Sequence, residues 1–294
     1  MRSLYRPSTF SLVAHDPGAG EWGVAVASKF LAVGSVVPWA RAGAGVVATQ
    51  SYANATFGPL GLEFMSQGYE AEAALGGMLA ADSGREERQV GIVDGQGRAA
   101  TFTGSECYAW AGGRTGQHYA AQGNILTGPE VVDGMVRTFE STSGVLADRL
   151  LTALAAGQDA GGDSRGQQSA ALLIVKSGGG YAGFNDRYVD LRVDNHPTPI
   201  VELRRLLELH KLYSFETRPE DVLTVDHDLA RRIQEILRRS GHGEEFHTGA
   251  YDEATRRAFR ALIGKENLEG RWREGAEVDR VVIDYLSKKY GLRA

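Results

Sequence analysis

The chain has 294 residues, of which 43% are hydrophobic and 23% are charged, a composition typical of a soluble globular protein. Its net charge of −5 argues against a nucleic acid partner, because phosphate binding needs a basic face. The single cysteine, Cys107, excludes an internal disulfide and a cysteine-based metal cluster. No stretch approaches the ~18 apolar residues of a membrane span, and Met1–Pro7 lacks the apolar centre of a secretory signal. We therefore expect no membrane association and a cytoplasmic location.

The composition changes near Arg218-Pro219. Charged residues make up 29 of the final 76 residues but 40 of the first 218, and 31 of the 38 glycines precede Pro219. This shift predicts a glycine-rich α+β body followed by a charged helical domain. The predicted parts are an extension at 1–8, the body at 9–213, a linker at 214–219 and the helical domain at 220–294.

Hydrophobic periodicity along the body predicts strands and helices in pairs. In chain order the predicted strands are 9–14, 23–28, 34–38, 45–50, 89–94, 99–103, 119–126, 169–175 and 187–193. The predicted helices are 58–81 with a break at Gly68, 130–140, 145–156 and 200–213. Because neighbouring strands pair directly, this order favours antiparallel sheets with helices outside. The run 112–116 lacks the lysine and the spacing of a phosphate-binding loop, so we expect no phosphate site there.

Thr9 opens the first predicted strand. A hydroxyl residue at that position is where an N-terminal nucleophile would lie, because a free α-amine can take the hydroxyl proton. Met1–Ser8 precede Thr9, so this amine exists only after the chain is cut. The residues alone leave two interpretations open: Thr9 is a nucleophile, or it is a β-branched residue that begins a strand.

Seven blocks of the body follow one another in a specific order: 9–14, 26–35, 40–43, 48–50, 122–124, 162–170 and 185–193. Together they resemble the bacterial family of unknown function numbered 1028, which is usually placed in the Ntn-hydrolase superfamily. The resemblance implies a four-layer αββα sandwich of two antiparallel sheets between helical layers. It also implies attack on an amide carbonyl by a first-strand Thr, Ser or Cys whose own α-amine is the base. In many relatives the matching threonine directly follows the initiator Met, and the extension here departs from that pattern.

Candidate site residues follow from these blocks and from side-chain chemistry. Thr9 is the candidate nucleophile, and the Asn124 and Gln50 amides can donate to a developing oxyanion. Cationic and polar residues near the strand ends can bind or orient a substrate. These candidate substrate-binding residues are Lys29, Arg41, Asn54, Asp163, Ser169 and Asp186. For each of them, surface solvation, a strand or turn cap, or a simple loop ion pair is the alternative. The histidines show no metal-ligand spacing, so we expect no metal and no cofactor.

The region after Pro219 shows three helical stripes, centred on 229–237, 251–262 and 278–286. With the run 264–269, it resembles the peptidoglycan-binding-like domain that follows the body in the same family. Glycan binding fits poorly with a cytoplasmic chain, so oligomer or partner contacts are an equal alternative.

The sequence therefore predicts an Ntn-type amidohydrolase that cleaves a small-molecule amide, with Thr9 as nucleophile if the extension is removed, in a chain that forms a homo-oligomer. The alternative is a non-catalytic ligand-binding or assembly protein whose C-terminal domain contacts partners.

Overall fold

A computed structural model of the protein describes residues 9–243 and 248–292, so the predicted extension at 1–8 lies outside the described residues. The chain divides into two compact units, Met1–Leu207 and Glu208–Ala294. The strands before Pro219 are β1 Thr9–Asp16, β2 Glu21–Ser28, β3 Pro38–Arg41, β4 Gly45–Ser51, β5 Arg88–Asp94, β6 Ala99–Thr103, β7 Gly112–Gly116, β8 Tyr119–Asn124, β9 Ser169–Lys176 and β10 Arg187–Val193. The helices there are α1 Phe57–Ser66, α2 Ala71–Ala80, α3 Glu130–Ser141, α4 Leu146–Asp159 and α5 Pro199–Ser214.

These strands form two antiparallel sheets. One sheet has six strands in the order β10-β9-β2-β1-β8-β7, and the other has four in the order β3-β4-β5-β6. Helices α1 and α2 pack on the four-stranded sheet, α3 and α4 pack on the six-stranded sheet, and the two sheets face each other. The first unit is thus a four-layer αββα sandwich, and the predicted fold class is confirmed.

Strand β1 is buried on both of its faces, which explains its continuous apolar run. Val13 belongs to the core between the sheets, together with Val24 and Val46. Phe10 points the other way, toward α4, where a Cβ on Gly157 would lie 3.4 Å from the Phe10 ring. Since side chains alternate along a strand, Thr9 and Ser11 share the inter-sheet face with Val13.

Two segments differ from the sequence prediction. The segment predicted as a strand at 34–38 contains a short 3-10 helix at Val33–Ser35, and the strand begins only at Pro38. The Ser169 hydroxyl accounts for this turn, because it accepts from the Val33 N–H at 3.0 Å and donates to Phe30 O at 2.5 Å. The run Gly112–Gly116 is an edge strand; its three glycines give no hydrophobic alternation that would have predicted it.

After the end of α5, the described part of the second unit has three α-helices, α6 His227–Arg239, α7 Glu253–Lys265 and α8 Arg280–Lys289. It also has a small sheet of β11 Val222–Thr224 and β12 Glu277–Asp279. Asp252 caps the N-terminus of α7, since its carboxylate accepts from the Thr255 N–H at 2.9 Å. Gln234, which interrupts the apolar stripe of α6, is buried and donates to Ala250 O at 3.0 Å. Across the described ranges, every helix is too short or too polar to cross a bilayer.

Candidate functional site

Thr9 lies at the head of β1, between two neighbouring strands of the six-stranded sheet. Its Cα partners are Ser28 at the end of β2 and Asn124 at the end of β8. The Thr9 side chain has no solvent exposure, and its hydroxyl donates to Ser28 Oγ at 3.3 Å. The 294-residue chain therefore holds this hydroxyl enclosed between the sheets.

Both amides predicted to act with Thr9 are next to it. Gln50 Nε2 donates to the backbone carbonyl oxygen of Thr9 at 3.3 Å, and Asn124 Nδ2 donates to the same oxygen at 3.5 Å. The structure thus brings the three predicted catalytic residues together. As they stand, the two amides fix the backbone of Thr9, and their N–H groups point at its carbonyl rather than at an empty oxyanion position.

A buried amide network, which we define as Ser11, Gln50, Gln89, Gln122 and Asn124, continues from Thr9 between the sheets. Ser11 Oγ donates to Gln50 Oε1 and accepts from Gln122 Nε2, both at 2.6 Å. Gln89 Oε1 accepts from Gln50 Nε2 and from Asn124 Nδ2, both at 2.9 Å. All five side chains are fully buried, and in such a low-dielectric site satisfied hydrogen bonds are strong and position their members tightly.

Sequence reasoning missed three members of this network: Ser11, Gln89 and Gln122. The available signal was a single polar residue inside an otherwise apolar strand. A glutamine at such a position must find buried partners, and glutamines on facing strands can supply them to each other.

Lys29, Asp163 and Ser169 form a second group beside Ser28, with Lys29 and Asp163 in loops and Ser169 at the start of β9. The Asp163 carboxylate is buried, accepts from the Lys29 backbone N–H at 2.7 Å, and pairs with Arg165 at 3.1 Å. The Lys29 ammonium is exposed and donates to Gln167 O at 3.2 Å. In the described chain Asp163 and Ser169 fasten the loop after β2, which is the strand that carries Ser28, the hydroxyl partner of Thr9.

Asn54 lies in the loop after β4 and donates to Asp82 Oδ2 at 3.1 Å. Arg88 also donates to Asp82, at 2.8 Å. The pKa of Asp82 is lowered to about 2, chiefly by the hydrogen bond from Arg88. Hydrogen bonds from Asn54 and the Gly84 N–H also lower this pKa, whereas desolvation raises it. Asn54 therefore belongs to an ionised cluster at the same end of the four-stranded sheet as Gln50.

The remaining two predicted residues, Arg41 and Asp186, lie elsewhere. They line a cleft of about 350 Å³ between the edge strand β3 and strand β10, which we call the edge cleft. Thr9 is not among its lining residues. The structure thus separates the predicted substrate-binding residues into three places rather than gathering them around one pocket.

The fold and this geometry define the class: an αββα sandwich protein that encloses a threonine hydroxyl and an amide network at the head of a central strand. The chain belongs to the family of unknown function DUF1028, whose family model matches residues 9–203. A second family model, described as "Putative peptidoglycan binding domain", matches residues 214–286.

A solved structure agrees with this assignment. It is the crystal structure of protein SPO2555 from Silicibacter pomeroyi, a DUF1028 protein, with 34% sequence identity and a TM-score of 0.64. The match covers 71% of this chain and 91% of that chain. No curated protein matches the chain.

Proposed function

We propose that the protein is an amidohydrolase of the N-terminal-nucleophile type, which becomes active when the chain is cut before Thr9. The nucleophile is the Thr9 hydroxyl, and the substrate is a small amide. The observation that carries the proposal is the placement of this hydroxyl: it heads a central strand of the six-stranded sheet, and two side-chain amides fix its backbone.

Within residues 9–243, the hydrogen-bonding partners of Thr9 supply no base for this chemistry. No titratable side chain is among the hydrogen-bonding partners described above for the Thr9 hydroxyl or carbonyl, which are Ser28, Gln50 and Asn124. A cut between Ser8 and Thr9 creates an α-amine on the same residue, and such amines have a pKa of about 7.7–8.0. A base with that pKa is well matched to neutral pH.

The proposed reaction then has two steps. Thr9 Oγ1 forms a bond to the amide carbonyl carbon while its proton passes through the α-amine to the leaving nitrogen, and the C–N bond breaks. Water then attacks the resulting ester, which releases the acid and restores the hydroxyl. The Asn124 and Gln50 amides are the proposed donors to the oxyanion, which requires each of them to turn from the Thr9 carbonyl toward the substrate.

The test compares three proteins: the 294-residue chain, a chain whose mature N-terminus is Thr9, and the same shortened chain with Thr9→Ala. Each is assayed against a panel of small anilide and acylated aminocoumarin amides, after its N-terminus is established by intact mass. We expect hydrolysis by the chain that begins at Thr9 alone. Equal rates for that chain and its Thr9→Ala variant would refute the proposal.

A second candidate is a non-catalytic ligand-binding or assembly protein, and the complete burial of the Thr9 hydroxyl favours it. Under this alternative the shortened chain gains no activity over its Thr9→Ala variant. The same measurement therefore separates the two functions.

For the second unit, the family match to residues 214–286 supports glycan binding, and its charged helix faces support contacts with a partner or a second copy. Sedimentation of the full chain with purified peptidoglycan tests the first role, and its molar mass in solution tests the second. Binding to peptidoglycan by a monomeric chain would exclude the oligomer role.

A further inference from the structure

The edge cleft is a built concave site away from Thr9. Its floor is formed by Leu173 and Val175 of β9, which belong to the core between the sheets. Its walls are the free edge of β3 and the face of β10 that the shorter four-stranded sheet leaves uncovered. A volume of about 350 Å³ is within the range of small-molecule sites.

Strand register places a row of charges on that uncovered face. Asp190 pairs with Leu173 and Arg192 pairs with Ala171. Because directly opposite residues of an antiparallel pair project to the same side, Asp190 and Arg192 share the inter-sheet face with Leu173 and Ala171. Arg187, at the bulged end of β10, also lines the cleft.

Three arginines and two aspartates line the cleft. They are Arg41, Arg187, Arg192, Asp186 and Asp190. Asp190 is already shared, since it accepts from Arg187 at 2.7 Å and from Arg192 at 3.2 Å. Arg41 pairs with Glu63 at 3.3 Å. Within the described residues, each of the three arginines uses only one of its guanidinium nitrogens in its ion pair. Guanidinium donors therefore remain for a planar anion, which arginine binds through two parallel hydrogen bonds.

The opposite wall is apolar and aromatic. Trp39 of β3 lines the cleft, and its indole N–H donates to Val36 O at 2.9 Å. The ring is tightly packed on one side by α1, because a Cβ on Gly58 would collide with it. Trp39 is thus a fixed surface against which a flat apolar group can lie.

We propose that the edge cleft binds a small carboxylate with an apolar or aromatic body, with Arg192 and Arg187 holding the carboxylate and Trp39 and Leu173 contacting the body. This site is independent of the proposed hydrolase centre. Arg192 and Thr9 are separated by three strand spacings and two residues along the strands, which corresponds to roughly 16 Å.

The test uses benzoate as the probe and benzamide as its neutral counterpart. The full chain, labelled with ¹⁵N, is titrated with each compound while the indole N–H signals are followed. The Trp39 signal is assigned with Trp39→Phe, and Trp272 in the second unit serves as the internal reference. We expect a saturable benzoate-dependent shift of the Trp39 signal, no shift of the Trp272 signal, and binding of benzamide at least tenfold weaker.

Variants then assign the carboxylate contact. Arg192→Gln should weaken benzoate binding at least tenfold, because it removes the planar donor pair. Arg192→Lys should restore part of the affinity by restoring the charge. The matched control is Arg137→Gln, which removes an exposed arginine of α3 that pairs with Glu130 and should leave the affinity unchanged. Equal binding of benzoate and benzamide, or equal affinities for Arg192→Gln and Arg137→Gln, would overturn the proposal.

Discussion

Gln89 is the residue on which the buried amide network depends most. Its side chain makes four short hydrogen bonds: Oε1 accepts from Gln50 and Asn124 at 2.9 Å each, and Nε2 donates to Gly123 O at 2.7 Å and to Thr103 Oγ1 at 2.9 Å. The change Gln89→Leu keeps the size of the side chain and removes all four bonds. We expect a large loss of stability, because Gln50, Asn124 and the Gly123 carbonyl stay buried and Thr103 is half-buried.

The magnitude follows from those partners. A buried polar group left without its bond costs about 1–3 kcal/mol. Gln50 and Asn124 each keep a second acceptor, the Thr9 carbonyl, at 3.3 and 3.5 Å, so their cost lies at the low end of that range. Gly123 O and Thr103 Oγ1 lose the Gln89 amide that donates to them. We therefore expect Gln89→Leu to lower the free energy of unfolding by about 3–5 kcal/mol.

Urea denaturation followed by tryptophan fluorescence measures this change. A Trp272→Phe background restricts the signal to the first unit, because the other tryptophans, Trp22, Trp39 and Trp110, all lie there. The matched control is Gln67→Leu, since Gln67 is exposed and bonds only to the α1 surface residue Glu63 among the described side chains; it should change stability by less than about 0.5 kcal/mol. A loss below about 1 kcal/mol for Gln89→Leu would refute the assigned role of the network.

Two further predictions concern pH. Burial, and then the nearby His118, lower the pKa of His15 below 6.5, so the unfolded chain binds a proton more readily than the folded chain. The free energy of unfolding should therefore fall as the pH drops below about 6.5. His15→Phe keeps a ring against Trp22 and should make this fall smaller. An identical pH dependence in the wild type and the variant would contradict the assignment to His15. For Asp82, whose pKa is lowered to about 2 from 3.8 chiefly by Arg88, the stabilisation is present above pH 4 and is lost as the pH falls toward 2. Asp82→Asn should lower the stability at pH 7 by about 1–3 kcal/mol, with a difference from the wild type that shrinks below pH 4 in urea titrations; a difference that is constant with pH would show that the ionised carboxylate is not responsible.

The hydrophobic pattern predicted the paired strands and the outer helices, and the family resemblance implied the four-layer sandwich. Strands such as Ala99–Thr103 and Arg187–Val193 have the predicted bounds. The edge strand Gly112–Gly116 could not be predicted, because its glycines have no side chains that could alternate between apolar and polar. It joins the sheet through its backbone.

The site was predictable only in part. Thr9, Gln50 and Asn124 lie together at one end of the sandwich, and their catalytic roles stay predictions. Arg41 and Asp186 lie in the edge cleft because one sheet has six strands and the other has four. No local pattern encodes that width, so only the assembled fold shows which face of β10 is left uncovered.

The central claim is that a cut before Thr9 turns an enclosed hydroxyl into a nucleophile, and covalent labelling tests it most directly. A β-lactone acylates an activated hydroxyl: the Thr9 oxygen bonds to the lactone carbonyl, the ring C–O bond opens, and the proton goes to the released alkoxide, so the protein gains the whole mass of the reagent. Peptide mass spectrometry should find this single addition on Thr9 in the chain that begins there, and not in the 294-residue chain or in the shortened Thr9→Ala protein. An unlabelled Thr9 in the shortened chain, or equal labelling of Thr9 in the uncut chain, would contradict the account.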